Sequence, residues 1–197
     1  MLVTNGARTR SEGVIETQAH SGPGETGGRV SNKNAWERFE LLYRSSRDDV
    51  FAYAFTLLGD RAAAEDVTAI AFERAYRRRM TFDRRRGEER AWLFGIARNA
   101  ALDELRRRKR VASLAADPED VGQAGVEDGA EVALRRTAVR SALAQLPGRD
   151  REVIALKFHA GLRNAELARV LGISETAAGT LLYRAMEKLR RACDAMG

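Results

Sequence analysis

Gly161–Arg191 reads GLRNAELARVLGISETAAGTLLYRAMEKLRR, and this stretch decides the fold class. Apolar side chains recur at helical spacing on both sides of Gly172-Ile173. A short helix is expected over Asn164 to Leu171, and a longer one from Ser174 to about Cys193. Gly172 permits a sharp turn, and Ser174 offers a side-chain oxygen to cap the second helix. Two such helices in tight succession make a helix-turn-helix, whose second helix enters the major groove of DNA. Ala178, Leu182, Ala185 and Leu189 form the inward stripe of that helix. Glu175, Thr176, Thr180, Leu181 and Arg184 are left to face outward. An ordinary helical hairpin is the plainer alternative, but the turn chemistry and both stripes agree on the helix-turn-helix.

Upstream of Gly161, a short apolar helix is expected over about Asp150 to Ala160, after a break at Pro147-Gly148. Val132, Val139, Leu143 and Leu146 carry helical spacing before that break. Val111 to Leu134 is different. It holds Asp117, Glu119, Asp120, Glu127, Asp128 and Glu131, four turn-forming Pro and Gly residues, and no Lys or Arg. Most of it reads as an extended acidic linker.

Helical periodicity also governs the stretch before the linker. Trp36, Phe39 and Tyr43 fall on one face, Val50, Ala54 and Leu57 continue the pattern, and Gly59 offers a stop. Asp60 is placed to cap a helix over roughly Arg61 to Arg79. That helix is apolar on two sides, Val67 with Ala71 and Phe72 with Tyr76, so it should lie between two neighbours. A loop is expected over Met80 to Gly87, then a helix from about Glu88 to Arg110 with Trp92, Leu93, Ile96 and Ala100 inward. Residues 1–30 are rich in Gly, Ser, Thr and Glu without periodicity and read as a disordered tail. Gly22, Gly24 and Gly27 match a dinucleotide-loop pattern there, but no strand precedes them, and the match reads as chance.

Composition narrows the function. Lys and Arg number 34 against 28 acidic residues, a net charge of +6 dominated by arginine. Guanidinium groups suit phosphate oxygens, but clustering is more informative than the total. Arg77–Arg79, Arg84–Arg86 and Arg106–Arg110 bracket the long middle helix. Such density can track a phosphate backbone, or it can be a solvated helix end where cations suit the macrodipole. Phe82, Trp92 and Phe94 lie close by in sequence, and an aromatic could stack on an unpaired base, although Trp92 also continues the apolar stripe. With one cysteine (Cys193) and two histidines (His20, His159), neither a disulfide framework nor a metal site is expected. No nucleophile–base pair or phosphate loop in a credible setting is found, so no enzyme and no cofactor are expected. Neither a signal peptide nor a membrane-spanning run is present, so the chain is expected to be cytoplasmic, without membrane insertion.

Three blocks carry a resemblance: FELLYRSSRDDVFAYAFTLLGDRAAAEDVTAIAFERAYRRR (Phe39–Arg79), AWLFGIARNAALDELRRRKR (Ala91–Arg110) and LPGRDREVIALKFHAGLRNAELARVLGISETAAGTLLYRAMEKLRR (Leu146–Arg191). In this order and with this gap they resemble bacterial sigma factors of the extracytoplasmic-function (ECF) group, with the second and fourth conserved regions and without the first and third. The resemblance implies an all-α protein. A region 2-like bundle (31–110) would be joined by a flexible acidic linker (111–130) to a region 4-like helix-turn-helix domain (131–197), after the tail at 1–30. It implies binding to core RNA polymerase through Glu65, Asp66 and Glu73. It implies recognition and melting of the minus-ten promoter element through the loop Met80–Gly87, with Arg84 and Arg85, and through Arg98, Asn99, Asp103, Arg106 and Arg107. Ser174, Glu175, Thr176, Thr180, Leu181 and Arg184 would read the minus-thirty-five element, and the acidic linker would run through the RNA exit path. An anti-sigma factor is implied as a further partner. With the chain stopping at Gly197, no C-terminal sensory domain is expected.

Three positions depart from the family pattern. Ala69 and Ile70 stand where a Gln followed by an acid is usual, Gly179 and Leu181 where Lys and Arg are frequent, and Arg163 where a capping Ser is frequent, so Asn164 is expected to take over that cap. Two other readings stay open. A helix-turn-helix regulator acting without polymerase would use only the C-terminal block, and a degenerate sigma-like protein would act through protein contacts alone.

Overall fold

The computed structural model describes residues 26–83, 85, 87–114 and 130–195, with side chains described at residues 35–83, 85, 87–113 and 136–195. Among these residues the regular structure is helical throughout: α1 (Thr26–Leu58), α2 (Arg61–Arg78), α3 (Glu89–Leu114), α4 (Ala130–Gln145), α5 (Gly148–Phe158), α6 (Asn164–Leu171) and α7 (Glu175–Asp194), with a 3-10 turn at Arg79–Thr81. The all-α expectation is met. α1 begins at Thr26, inside the stretch read as a tail, and α3 continues to Leu114, past the basic run at which the linker was expected to start. Residues 1–25 and 115–129, which carry most of the tail and of the acidic linker, lie outside the described residues.

The first bundle is α1, α2 and α3. Gly59 ends α1 by adopting φ +66°, which a side chain would resist. Asp60 then caps α2, its carboxylate accepting from the Ala63 N–H at 3.2 Å. α2 packs on both α1 and α3, as its two apolar sides require. Toward α1, Phe72 meets Tyr43 edge-on at 4.8 Å and Tyr76 meets Phe39 and Trp36 at 5.2 and 5.7 Å. Elsewhere the bundle is lined by alanines, including Ala54, Ala64, Ala71, Ala97 and Ala101, which let backbones approach closely. Tyr53 and Phe94, both fully buried, fill the space between α1 and α3.

The second bundle is α4 to α7. Gly161 (φ +66°) and Gly172 (φ +69°) make the two turns that flank α6. Ser174 caps α7, accepting from the Ala177 N–H at 3.2 Å. At α6 the cap differs from expectation: Asn164 is the first helical residue, and the N-cap position is Arg163. An arginine side chain has no acceptor to offer the helix. The end is secured from inside instead, because Glu166 reaches back to accept from the Arg163 N–H at 2.8 Å. Lys188 on α7 pairs with the buried Asp150 of α5 and ties the last helix down.

The two bundles are in contact. α5 lies on α1, and α6 lies on α3. Their buried apolar residues join into one continuous cluster. Polar bonds cross the seam. Arg98 pairs with Glu152 at 2.8 Å, and Arg90 donates to the carbonyls of Ala160 (2.7 Å) and His159 (2.8 Å). His159 Nε2 lies 3.0 Å from the Thr56 hydroxyl.

Candidate nucleic-acid and polymerase interfaces

Three surfaces carry the residues singled out from the sequence. The first is the recognition helix α7. Ser174, Glu175, Thr176, Thr180 and Arg184 are exposed, and Thr180 donates to the Thr176 carbonyl at 3.0 Å. Leu181 is an exception to the outward set: it is half-buried and packs against the core, since its position on the helix falls between the inward stripe and the outer face. Gly179 is also half-covered, and a Cβ there would meet Asn164 Nδ2 at 3.6 Å, an ordinary contact.

The second surface is the face of α2 turned away from α1 and α3. Glu65, Asp66, Ala69, Ile70 and Glu73 are all exposed there. Glu65 pairs with Arg61 and Glu73 with Arg77, both within one helical turn. The result is an acidic strip with a small apolar centre, Ile70 being 38% exposed.

The third surface is a groove of about 440 Å³ between the 3-10 turn and α3. Arg78, Phe82, Trp92 and Asn99 line it on one side, with Gly87 at its rim and Arg169 entering from α6. Phe82 and Trp92 lie 5.3 Å apart at a tilt, which leaves aromatic surface facing the groove. Trp92 thus serves both as core and as wall.

The predicted minus-ten residues do not form one constellation. Asn99 lines the groove, whereas Arg98 points to the seam and its pair with Glu152 is 22% exposed on the arginine side. Asp103 bridges Arg74 (3.4 Å) and Arg106 (3.1 Å). Arg107 binds Glu104 through two bonds of 2.7 Å, with the rest of its side chain exposed. Arg85 is exposed, its N–H bonded to the Asp83 carboxylate, and Arg84 lies outside the described residues.

The basic run 106–110 also divides. Arg108 turns inward, binding Asp60 at 2.7 Å, Glu104 at 2.9 Å and the Leu58 carbonyl at 3.2 Å. The Ala63 N–H, together with the Arg108 guanidinium, holds the Asp60 carboxyl below its ordinary range. Arg107 and then Arg108 draw Glu104 down to about 2. Arg79 likewise folds back over the Tyr76 ring at 3.9 Å. Arg106, Lys109 and Arg110 remain exposed.

Sequence reasoning missed Arg90, Arg108 and Arg169. Each is one arginine among many, and the partners that fix them lie far off in sequence, as Ala160 does for Arg90, Asp60 for Arg108 and Gly87 for Arg169. No local pattern marks them.

A groove with basic and aromatic lining beside α3 and a helix-turn-helix in the second bundle are features of a DNA-binding protein. Residues 42–111 match Sigma-70 region 2 and residues 136–189 match Sigma-70, region 4. The chain belongs to the ECF RNA polymerase sigma factors. It is 33% identical over 173 residues to the ECF RNA polymerase sigma factor SigL of Mycobacterium tuberculosis, covering 86% of this chain and 97% of that protein. It is 35% identical over 158 residues to the ECF RNA polymerase sigma factor BldN of Streptomyces coelicolor, spanning 79% of this chain and 60% of the relative. Among solved structures, CnrH in complex with the cytosolic domain of CnrY aligns with a TM-score of 0.62 at 28% identity, over 86% of this chain and 98% of that one. The sigma factor RpoE in complex with the anti-sigma factor NepR from Bartonella quintana shares the fold, with a TM-score of 0.68 at 22% identity over 82% and 98% of the two chains. The family initiates transcription rather than catalysing a reaction. Among the described residues, no helix is long and apolar enough to cross a membrane.

Proposed function

We propose that this protein binds core RNA polymerase and directs initiation at promoters carrying separate minus-ten and minus-thirty-five elements. The observation that carries the reading is the groove beside α3, where aromatic walls, Asn99 and Arg78 converge on a space open to solvent. An unpaired base can stack on Trp92 or Phe82 while the Asn99 amide offers both a donor and an acceptor to its edge. Arg106, Lys109 and Arg110 continue the cationic surface along α3 and suit the adjoining phosphates. In α7, Thr180 and Arg184 act as polar readers of the minus-thirty-five element, with Glu175 and Thr176 at the end that enters the groove. The exposed strip Glu65, Asp66, Ala69, Ile70 and Glu73 of α2 docks on the polymerase. Ala69 and Ile70, both exposed, make this contact partly apolar. The association of CnrH with the cytosolic domain of CnrY supports a regulatory protein partner for this chain as well, of the anti-sigma kind that the family resemblance implies.

The test is reconstitution of the purified chain with core polymerase on genomic DNA, followed by sequencing of transcript starts. Discrete starts sharing two upstream elements are expected. A failure to form a complex with core polymerase at low salt would overturn the reading.

A further inference from the structure

Gly179 leaves a gap in the reading face of α7. Glu175, Thr176 and Tyr183, its neighbours one helical turn away, are all exposed, so residue 179 belongs to the outward face. The side chains around the gap cover part of what a base edge asks for. Thr180 donates its hydroxyl proton to the Thr176 carbonyl and is left as an acceptor only. Arg184 can only donate, and Leu181 is half-buried against the core. Apart from α7's own backbone and the adjoining residues, the atom nearest to where a Cβ on Gly179 would stand is Asn164 Nδ2, at 3.6 Å.

Asn164 does not cap α6. The N-cap position is Arg163, and Glu166 accepts from the Arg163 N–H. Asn164 is exposed, and among the described residues no hydrogen bond holds its carboxamide. A side chain longer than alanine's at 179 would extend over that amide, whereas glycine leaves it open beside the recognition helix.

We propose that Asn164 is a specificity-determining residue of the helix-turn-helix: its carboxamide, admitted by Gly179, reads one adenine edge in the major groove from outside the recognition helix. This role rests on the reading of the minus-thirty-five element by α7 proposed above. The chemistry matches. Adenine shows an acceptor, N7, beside a donor, the N6 amino group, and a carboxamide offers the complementary pair. Guanine presents two acceptors there, and cytosine a donor alone. A phosphate would take only the Nδ2 donor and would carry no sequence information.

The test uses the full chain, both by itself and with core polymerase, to select from duplexes carrying about 20 random base pairs. The bound pools are sequenced, and affinity for the most enriched duplex is titrated. Asn164→Ala, Asn164→Asp and Gly179→Met are compared with the parent chain. The parent pool is expected to contain an adenine position that Asn164→Ala relaxes. The other positions are kept, which also shows that the variant is folded. Affinity for the enriched duplex should fall about tenfold with that one bidentate contact.

Asn164→Asp gives the sharper answer. A carboxylate accepts without donating, and it suits the first turn of a helix. The adenine preference should be lost at that position in favour of cytosine, whose N4 amino group donates without a neighbouring acceptor. A purely structural role for Asn164 moves no base preference. Gly179→Met covers the amide and should relax the same position, and an adenine preference retained there overturns the admission by Gly179. Binding that weakens evenly across all sequences, with a shallower salt dependence, makes Asn164 a phosphate contact and overturns the proposal. A parent pool that enriches a sequence but does not respond to Asn164→Ala also overturns it, while the reading by α7 stands. If the parent chain enriches no sequence in either preparation, the reading by α7 fails and the proposal falls with it.

Discussion

Arginine has two occupations at the end of α3, and they separate residue by residue. Arg106 and Arg107 are largely exposed, whereas Arg108 is three-quarters covered and holds α3 to the start of α2 through Asp60 and Glu104. Arg108→Ala is therefore expected to cost about 1–2 kcal/mol of stability, because Asp60 loses its guanidinium partner, Glu104 is left with Arg107 alone, and the Leu58 carbonyl loses a donor. A chemical denaturation curve checks this. Arg106→Ala with Arg107→Ala should lower the midpoint modestly, through the lost Arg107–Glu104 pair, and flatten the salt dependence of promoter binding by about one unit of slope per lost phosphate contact. An unchanged slope would assign both to a solvated face. The Glu104 carboxyl, lowered to about 2 by Arg107 and Arg108, adds a pH dependence. Its folded value lies below its unfolded value, so its stabilising contribution is complete above about pH 4.5 and fades as pH falls toward about 2. Acid titration of Glu104→Gln should show a shallower loss of stability across that window than the parent chain.

At the scale of the element, α7 carries both an expense and a compromise. Gly179 sits in the helix interior, where glycine costs about 1 kcal/mol relative to alanine, and its surroundings leave room for a methyl group. Gly179→Ala is expected to raise the stability of the second bundle by about 0.5–1 kcal/mol, read as a higher melting temperature. Leu181 is half-buried against the core, so arginine there exchanges an apolar contact for a charge that must be desolvated or displaced. Leu181→Arg should lower the melting temperature by several degrees, on the order of 4–8 °C per kcal/mol for a bundle of this size. A gain in DNA affinity at an unchanged melting temperature would place Leu181 on the DNA-facing side after all. α6 shows how an element survives an unsuitable cap residue: Glu166, drawn below its ordinary range by Arg163 despite the opposing effect of burial, secures the N–H that starts the helix.

For the whole molecule, the question is how the two bundles are held together. His159 ends α5 against α1, facing Thr56 and Asp49, with Arg90 bound to its carbonyl. Thr56 donates its hydroxyl proton to the Ala52 carbonyl at 2.8 Å, so its oxygen is left to accept from His159 Nε2–H. Burial pushes the imidazole below its ordinary value, with Asp49 pulling the other way. The packed state thus favours the neutral ring, and its stability is full above about pH 6.5 and declines as pH falls below it. Small-angle scattering is expected to show expansion of the chain on acidification from pH 7.5 to 5.5, with His159→Gln expanding less (pH values chosen to bracket the ordinary imidazole value of about 6.5). Equal expansion of both would exclude the histidine as the cause.

The main helices, the caps of α2 and α7 and the helix-turn-helix were legible because they are local, whereas the cap of α6 was not. Asp60, Gly59, Gly172 and Ser174 act within four residues of themselves, and the stripe Ala178, Leu182, Ala185 and Leu189 follows from 3.6-residue periodicity alone. The family, too, was written in three local blocks, and the matches at residues 42–111 and 136–189 bear that out. What the sequence could not decide was which of its arginines face solvent. A row of five basic residues has no periodicity of charge to read, and only the packing of α3 on α2 turned Arg108 inward while leaving Arg106 and Arg107 out. The same holds for the seam. Arg90 with His159, Arg98 with Glu152 and Arg169 with Gly87 are joined across tens of residues. Pairing at that distance is set by which surfaces the tertiary structure brings face to face, and the local chain carries no signal of it.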